Sequence, residues 1–130
     1  MEVIGTWRLV RSSSTSADGT PLPAPFGGPA AMGRVVLGAD GRMMAVLCDG
    51  RAVVPADETR EYTSYCGNYT FDGTTLITRV DAASDPERLG TDQVRDVRFD
   101  GELMVLRPPQ KAYAGRVEQR ELVWEKIAPA

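Results

Sequence analysis

Residues 65–106 read YCGNYTFDGTTLITRVDAASDPERLGTDQVRDVRFDGELMVL, and this stretch decides the fold. Its segments are rich in Thr, Val, Ile, Tyr and Phe, as β-strands are. They are interrupted at residues 72–73 (Asp-Gly), 84–86 (Ser-Asp-Pro) and 100–101 (Asp-Gly). The pattern therefore predicts four strands joined by turns. In a short chain built on such a sheet, the large concave space is the interior of the sheet itself, and we expect function there.

The segments on either side extend this sheet. Residues 5–16 alternate in polarity and predict a long strand in which Trp7 plugs one end. Residues 34–37 and 42–48 predict a hairpin, and the second strand, RMMAVLC, is apolar on both faces, which predicts core on one side and a covering element on the other. Residues 116–127 alternate over a length that allows them to pair with the first strand and close the sheet.

Two segments break the strand pattern. Residues 17–33 contain four prolines and several glycines, with Leu22, Phe26 and Met32 as apolar anchors. They predict a packed loop over a barrel opening, and a mobile surface loop without a role fits equally well. Residues 55–65, PADETREYTSY, predict a short helix capped by Asp57, which could be a lid or a plain connector.

The turn near residue 101 sets the register of one hairpin. A three-residue turn over residues 100–102 would place Phe99 opposite Leu103 and Val97 opposite Val105. A two-residue turn would instead place Phe99 opposite Glu102, burying a charge or exposing a ring. The hydrophobic pattern favours the three-residue turn.

About eight strands with sequential connections, and no βαβ unit, predict an all-β fold. We expect an antiparallel up-and-down barrel with one short helix and a Pro/Gly-rich loop over an opening, because closure removes exposed edges. The 130 residues form one domain, residues 1–130, which is large enough to hold a core. The interior of an eight-stranded barrel is either filled by side chains or holds one small ligand.

Charge and composition exclude several classes of function. The net charge of −3 and the absence of a Lys/Arg run argue against nucleic acid as a partner. The start of the chain, MEVIGTWRLV, does not resemble a signal peptide, and no stretch approaches the roughly 20 apolar residues of a membrane span. We therefore expect a cytoplasmic protein, a monomer or a homodimer, that contacts neither nucleic acid nor a membrane.

The chain has no histidine and two cysteines. The missing imidazole argues against a nucleophile with a histidine base, against the usual zinc sites and against histidine-ligated haem, so we expect no metal and no organic cofactor. Cys48 and Cys66 fall in predicted strands and could be neighbours in space. Free thiols are favoured over a disulfide in a chain with no secretion signal.

Six segments, in this order, resemble the bacterial lipocalin-like domain family of small single-domain β-barrels: GTWRLV, PFGGP, MGRVVLGADGRM, YCGNYTFDG, GTDQVRDVRFDGELMVL and LVWEKI. The resemblance implies a lipocalin-like barrel around a small-molecule cavity. Gly5 and Trp7 look like the first-strand signature of such barrels, and the resemblance implies Arg120 as the arginine that packs over that tryptophan. Relatives often carry a histidine near the place where this chain has Thr78 and Arg79, and any catalytic role of that histidine is not carried over to this chain.

Arg95 is the first candidate for a functional residue. It alternates in phase with Val97 and Phe99, which places a guanidinium among core-facing side chains. A buried arginine needs a partner. That partner could be a ligand oxygen or a tyrosine, or a structural ion pair could form with a carboxylate of Asp81, Glu118 or Glu121.

We assign catalytic roles to Arg95, Tyr65 and Tyr69, whose polar groups could hydrogen-bond a ligand carbonyl. The other candidates are polar or aromatic side chains and one methionine of a pliable apolar wall, and we assign them to ligand binding: Thr78, Asn68, Gln93, Tyr62, Tyr113, Phe26, Met44 and Trp124. Plain core or rim positions are the alternative for the tyrosines and the methionine.

Two functions fit these candidates. The first is a cofactor-independent cyclase or isomerase that folds a hydrophobic, polyketide-like natural product in the barrel and polarises one oxygen, as the resemblance to barrels of natural-product pathways implies. The second is a non-catalytic carrier of a small hydrophobic molecule. A filled barrel that binds protein on its outside is the third possibility. A cavity of several hundred cubic ångströms would favour the first two.

Overall fold

The structure, a computed structural model, describes residues 2–113 and 115–129. Ten β-strands make up most of it: β1 Gly5–Ser16, β2 Pro21–Leu22, β3 Ala31–Leu37, β4 Arg42–Asp49, β5 Tyr62–Phe71, β6 Thr75–Ala83, β7 Asp92–Asp100, β8 Leu103–Arg107, β9 Lys111–Tyr113 and β10 Arg116–Ala128. Two single 3-10 turns, Gly28–Ala30 and Pro86–Arg88, lie in the connections. These residues include no α-helix long and apolar enough to cross a bilayer.

Eight of the strands form a closed antiparallel barrel in the order β1-β3-β4-β5-β6-β7-β8-β10. Strand β10 pairs back onto β1, from Thr6 opposite Ala128 to Ser16 opposite Glu118, which closes the sheet. The short strands β2 and β9 only extend β1 and β10. The predicted all-β barrel, its four strands within residues 65–106 and its closure by the last strand are confirmed.

The two ends of the barrel differ. The short turns after β3, β5 and β7 lie at one end, together with the start of β1, and we call this the closed end. There Trp7 is fully buried, and its indole Nε1 donates a hydrogen bond to the Val3 carbonyl at 2.8 Å. The long connections, 17–30, 50–61 and 84–91, lie at the opposite end, which we call the open end.

The predicted helix is wrong. Residues 55–58 form one turn, closed by a hydrogen bond from the Glu58 N–H to the Pro55 carbonyl at 3.0 Å, and β5 already begins at Tyr62. A single helical turn fixes several residues for very few hydrogen bonds. The pairing of β5 with β4, which sets Tyr62 opposite Cys48, supplies more backbone hydrogen bonds than a single helical turn would.

The predicted three-residue turn at residues 100–102 is also wrong. Asp100 pairs with Leu103, so the loop is two residues, and Phe99 lies opposite Met104. Gly101 has a φ of +59°, as a two-residue hairpin loop with glycine in its first position requires. The register is thus shifted by one residue from the favoured alternative and by two from the other, and Val97 pairs with Leu106, each of them buried.

The barrel interior is the core, and its most deeply buried large side chains include both tryptophans, Trp7 and Trp124. The outer face of β4 is not covered, contrary to prediction, since Met44 is 56% and Val46 is 39% exposed. Cys48 and Cys66 are free thiols, as predicted. They are not neighbours, because Cys48 lies opposite Tyr62 while Cys66 lies opposite Met44.

Candidate functional site

A cavity of about 200 Å³ lies inside the barrel and reaches the open end. Its apolar lining comes from inward-facing side chains of five strands: Val35, Met43, Ala45, Leu47, Leu76, Leu106, Leu122 and Trp124. Its polar and aromatic lining includes residues of the open-end connections, among them Phe26, Glu61, Asp85 and Arg88. The arrangement joins an apolar space to a charged mouth.

The volume limits what the cavity can hold. It is smaller than the several hundred cubic ångströms we expected and lies below the ~300 Å³ at which ligand pockets commonly begin. An apolar cavity of about 150 Å³ is enough to bind benzene. The space therefore fits a molecule of about one ring with short substituents.

Arg120 organises the mouth of the cavity. Its guanidinium donates to Glu61 Oε2 at 2.8 Å, and its central carbon lies 3.6 Å from the centre of the Tyr113 ring. Its Nε lies 3.5 Å from Glu118 Oε1, which accepts a hydrogen bond from Ser14 Oγ at 2.7 Å. The charge of Arg120 is thus matched by two carboxylates.

The placement of Arg120 over the first-strand tryptophan is therefore wrong. The pairing of β1 with β10 sets Arg120 opposite Ser14, at the open end, and sets Lys126 opposite Trp7. Lys126 takes the implied position, with its Nζ 5.1 Å from the centre of the Trp7 ring.

Glu61 also anchors the Pro/Gly-rich connection to the mouth. Its Oε1 accepts a hydrogen bond from the Phe26 N–H at 2.8 Å, while its Oε2 binds Arg120. Phe26 has a φ of +58°, which is rare for an aromatic residue. The Phe26 ring is buried and lines the cavity, so one apolar anchor of residues 17–33 does contribute to the site.

Arg95 and Arg88 line the same cavity. Arg95 donates to the Val94 carbonyl at 2.8 Å and to Gln93 Oε1 at 3.3 Å, and Arg88 lies 5.4 Å from the centre of the Tyr65 ring. Within residues 2–113 and 115–129, no carboxylate oxygen lies within 4.0 Å of either guanidinium. Both cations are thus held by neutral groups.

The structural ion pair considered for Arg95 is wrong. Asp81 pairs with Arg42 at 2.6 Å, and Glu121 lies 3.8 Å from Arg98. Glu118 is engaged by Ser14 and lies beside Arg120. The inward position of Arg95 follows from its alternation with Val97, and strand β7 keeps that phase.

Six of the residues predicted for the site line the cavity: Arg95, Tyr65, Tyr62, Tyr113, Phe26 and Trp124. Gln93 lies beside it, where its side chain accepts from Arg95 and donates to Thr91 Oγ1 at 3.1 Å. The hydrogen bond to Gln93 Oε1 thereby helps to hold the Arg95 guanidinium in place. Strand alternation accounts for the inward position of Arg95, whereas Phe26 lies in a connection and Tyr62 is 54% exposed.

Four predicted residues are not part of the lining: Tyr69, Thr78, Asn68 and Met44. The Tyr69 hydroxyl donates to the Gly38 carbonyl at 2.6 Å near the closed end, and burial raises the pKa of this phenol. Thr78 is buried away from the cavity. Asn68 and Met44 lie on the outer face, where Asn68 Oδ1 accepts from Arg42 at 3.0 Å.

Sequence reasoning missed Arg88, Glu61 and Thr63, which also line the cavity. Arg88 lies in a 3-10 turn. Asp85 caps the start of this turn, and its carboxylate accepts a hydrogen bond from the Glu87 N–H at 3.0 Å. The Asp-Pro signal predicts such a turn but not the direction of its side chains. Glu61 and Thr63 were hidden by the incorrect helix.

Three polar atoms of the lining residues are buried without a hydrogen-bond partner among the described residues, namely Thr63 Oγ1, Arg120 Nε and Trp124 Nε1. Leaving a buried donor or acceptor unpaired costs about 1–3 kcal/mol. Such groups are uncommon in folded proteins, and each of them could pair with a bound water or ligand.

Comparison with known proteins gives one match. A family model described as a lipocalin-like domain matches residues 4–127, almost the whole chain. No curated protein and no solved structure matches this chain significantly.

Proposed function

Because the chain belongs to the lipocalin-like domain family, we propose that it binds one small, largely apolar molecule in the barrel cavity, entering at the open end. The observation that carries this proposal is the combination of an apolar interior space with a polar, aromatic mouth. Ligand sites typically combine these features.

The energetics of the empty space support the proposal. Cavities in apolar cores cost about 24 cal/mol per Å³, and the part of this cavity that is closed to solvent carries that cost. A bound apolar molecule restores the missing contacts, and the small side chain of Ala45 in β4 leaves room for it.

A test fills the cavity from within. Ala45→Leu adds apolar volume to the lining, and Val46→Leu, its neighbour on the exposed outer face, is the matched control. A library of one-ring and polyketide-like compounds is screened by thermal shift and native mass spectrometry. A ligand at 100 times its Kd should stabilise the wild type and Val46→Leu by about 2.7 kcal/mol, and Ala45→Leu by far less. Equal stabilisation of all three proteins would place the ligand elsewhere.

A second candidate function is a cofactor-independent cyclase or isomerase, and the specific observation that favours it is the Arg95 guanidinium at the cavity wall. A preorganised cation beside a substrate oxygen stabilises negative charge that develops there during the reaction. Bonds then rearrange within one molecule, so no oxidant, reductant or leaving group is needed. In this proposal Arg95 polarises the oxygen, Tyr65 helps to position the substrate, and the substrate is a polyketide-like molecule of about one ring.

Product analysis separates the two functions. After incubation, a carrier releases its ligand unchanged. An isomerase or cyclase returns a compound of the same mass with a different retention time, and Arg95→Gln should slow its formation by about 10²-fold or more, as removal of one stabilising donor does. Unchanged turnover in Arg95→Gln would contradict the role of this guanidinium.

A further inference from the structure

We propose that the cavity selects an anion, specifically a compact one-ring aromatic carboxylate, whose carboxylate is held by Arg88 and Arg95 and whose ring lies against Trp124. This inference rests on the proposed binding function and adds the charge, the size and the orientation of the ligand. Three observations support this inference: the charges of the lining residues, the positions of the two arginines and the volume of the cavity.

The charges of the lining do not balance. The lining itself has three arginines, Arg88, Arg95 and Arg120, and two carboxylates, Glu61 and Asp85, which leaves one net positive charge. Glu118, beside Arg120, lies outside the lining. Glu61 is bound to Arg120, and Asp85 accepts from the backbone of its own turn. Among the arginines of the lining, Arg88 and Arg95 are therefore the two for which the described residues provide no carboxylate within 4.0 Å.

A half-buried guanidinium without a counter-ion is costly, because desolvation is not offset by an opposite charge. The Arg95 guanidinium donates hydrogen bonds to two neutral acceptors, the Val94 carbonyl and the Gln93 side chain. A guanidinium has five N–H donors, so others remain for a ligand. A carboxylate suits these donors best, since its two oxygens can accept bidentate, charge-assisted hydrogen bonds.

The position of the two arginines sets the orientation of the ligand. Four residues, Arg88, Arg95, Pro108 and Tyr113, line both the cavity and an adjoining pocket on the protein surface. Trp124 and Leu76 line the cavity alone. The cations thus stand where the cavity meets the outside, and the apolar wall lies beyond them. A ligand with one charged end is expected to point that end outward.

Size and wall chemistry set the body of the ligand. A space of about 200 Å³ exceeds the ~150 Å³ that accommodates benzene by little more than a small substituent. The wall offers aromatic rings from Trp124, Tyr65 and Phe26. Ring pairs add about 0.5–1.5 kcal/mol beyond area burial, which favours an aromatic over an aliphatic body.

The experiment compares two probes that differ in charge alone, 3-phenylpropionate and 3-phenylpropionamide, by isothermal titration calorimetry on the full chain. Wild type is expected to bind the acid at least tenfold more tightly than the amide. Arg95→Gln and Arg88→Gln should each lower this preference about tenfold while leaving amide binding nearly unchanged. Arg95→Lys, which keeps the charge, should retain a preference for the acid.

Arg98→Gln is the matched control, because Arg98 lies on the same strand but its side chain is 61% exposed on the outer face. It should bind both probes as wild type does. Equal binding of acid and amide by wild type, or an acid preference that survives both Arg88→Gln and Arg95→Gln, would overturn the inference while leaving cavity binding intact. Failure of the protein to bind either probe or any library compound would overturn the binding function as well.

Discussion

The guanidinium carbon of Arg120 lies 3.6 Å from the centre of the Tyr113 ring, and this contact joins β10 to β9 at the mouth of the cavity. The same guanidinium binds Glu61, which in turn accepts from the Phe26 N–H. One arginine therefore connects two strands with two of the three long connections of the open end. The mouth is a continuous network of contacts instead of a set of independent loops.

Replacing Arg120 should weaken the whole mouth. Arg120→Met keeps an apolar stem but removes the hydrogen bond to Glu61 and the charge beside Glu118, so we expect a loss of about 2 kcal/mol in the free energy of unfolding. Urea denaturation measures this. The control is Arg116→Met, an exposed arginine of the same strand 3.9 Å from Glu118, which should cost far less. Equal losses in the two variants would show that the network contributes little.

Tyr69 should matter for stability and not for binding. Its hydroxyl is engaged by the Gly38 carbonyl at 2.6 Å and lies outside the cavity lining. Tyr69→Phe is expected to lower stability by about 1 kcal/mol, the worth of one hydrogen bond, with ligand affinity and any turnover unchanged. If Tyr69→Phe is fully folded but has lost turnover, Tyr69 has the catalytic role that the sequence suggested.

Asp49 should govern part of the acid stability. Its carboxylate is 1% exposed and accepts from Arg51 Nε, from Arg51 Nη2 at 2.6 Å and from the Arg51 backbone N–H. The hydrogen bonds from the Arg51 side chain lower its pKa from 3.8 to about 2. Because the folded pKa is below the unfolded one, this contribution is complete above pH 3.8 and is lost as the pH falls towards about 2.

Asp49→Asn should therefore have a lower thermal midpoint than wild type at pH 7. As the pH falls from 3.8 to about 2, this difference in thermal midpoint should become smaller. Thermal melts across this range, read by circular dichroism, measure the effect. Asp100→Asn, at an exposed position, serves as the control. A constant difference between Asp49→Asn and wild type at all pH values would show that the carboxylate charge is not what stabilises this corner.

Gly67 is a position where even one methyl group should be harmful. Strand β5 has an irregularity between Cys66 and Gly67, and a Cβ at Gly67 would lie 1.9 Å from the Arg79 carbonyl oxygen on β6. Since backbone must move to relieve this clash, Gly67→Ala should cost about 3 kcal/mol or more. Gly73→Ala, in an open turn with a φ of +105°, should cost only the backbone strain of about 1–2 kcal/mol. Similar urea midpoints for both variants would refute the clash.

Alternation along strands was the reliable guide in the sequence. It identified β1 and β10 and their closure, and it placed Arg95 on the inner face with Val97. The same rule excludes Asn68, which is an odd number of positions from inward-facing Tyr65. Local patterns therefore fix which face a side chain occupies wherever the strand itself is recognised.

Positions along the barrel axis could not be read in the same way. Arg120 and Lys126 share one face of β10, and only the pairing with β1 decides which of them reaches Trp7. That register depends on the stagger of the closed barrel, a property of all eight strands together. The direction of Arg88 was equally inaccessible, because it depends on how a turn packs against neighbouring connections.

The left-handed backbone of Phe26 has a kinetic consequence. The ring covers part of the cavity in a conformation that is held by the hydrogen bond from its N–H to Glu61. A ligand that leaves past this ring must break that bond, and the freed residue then relaxes to an ordinary conformation. We therefore expect that loss of the Phe26–Glu61 hydrogen bond shortens the residence time of a ligand that leaves past this ring.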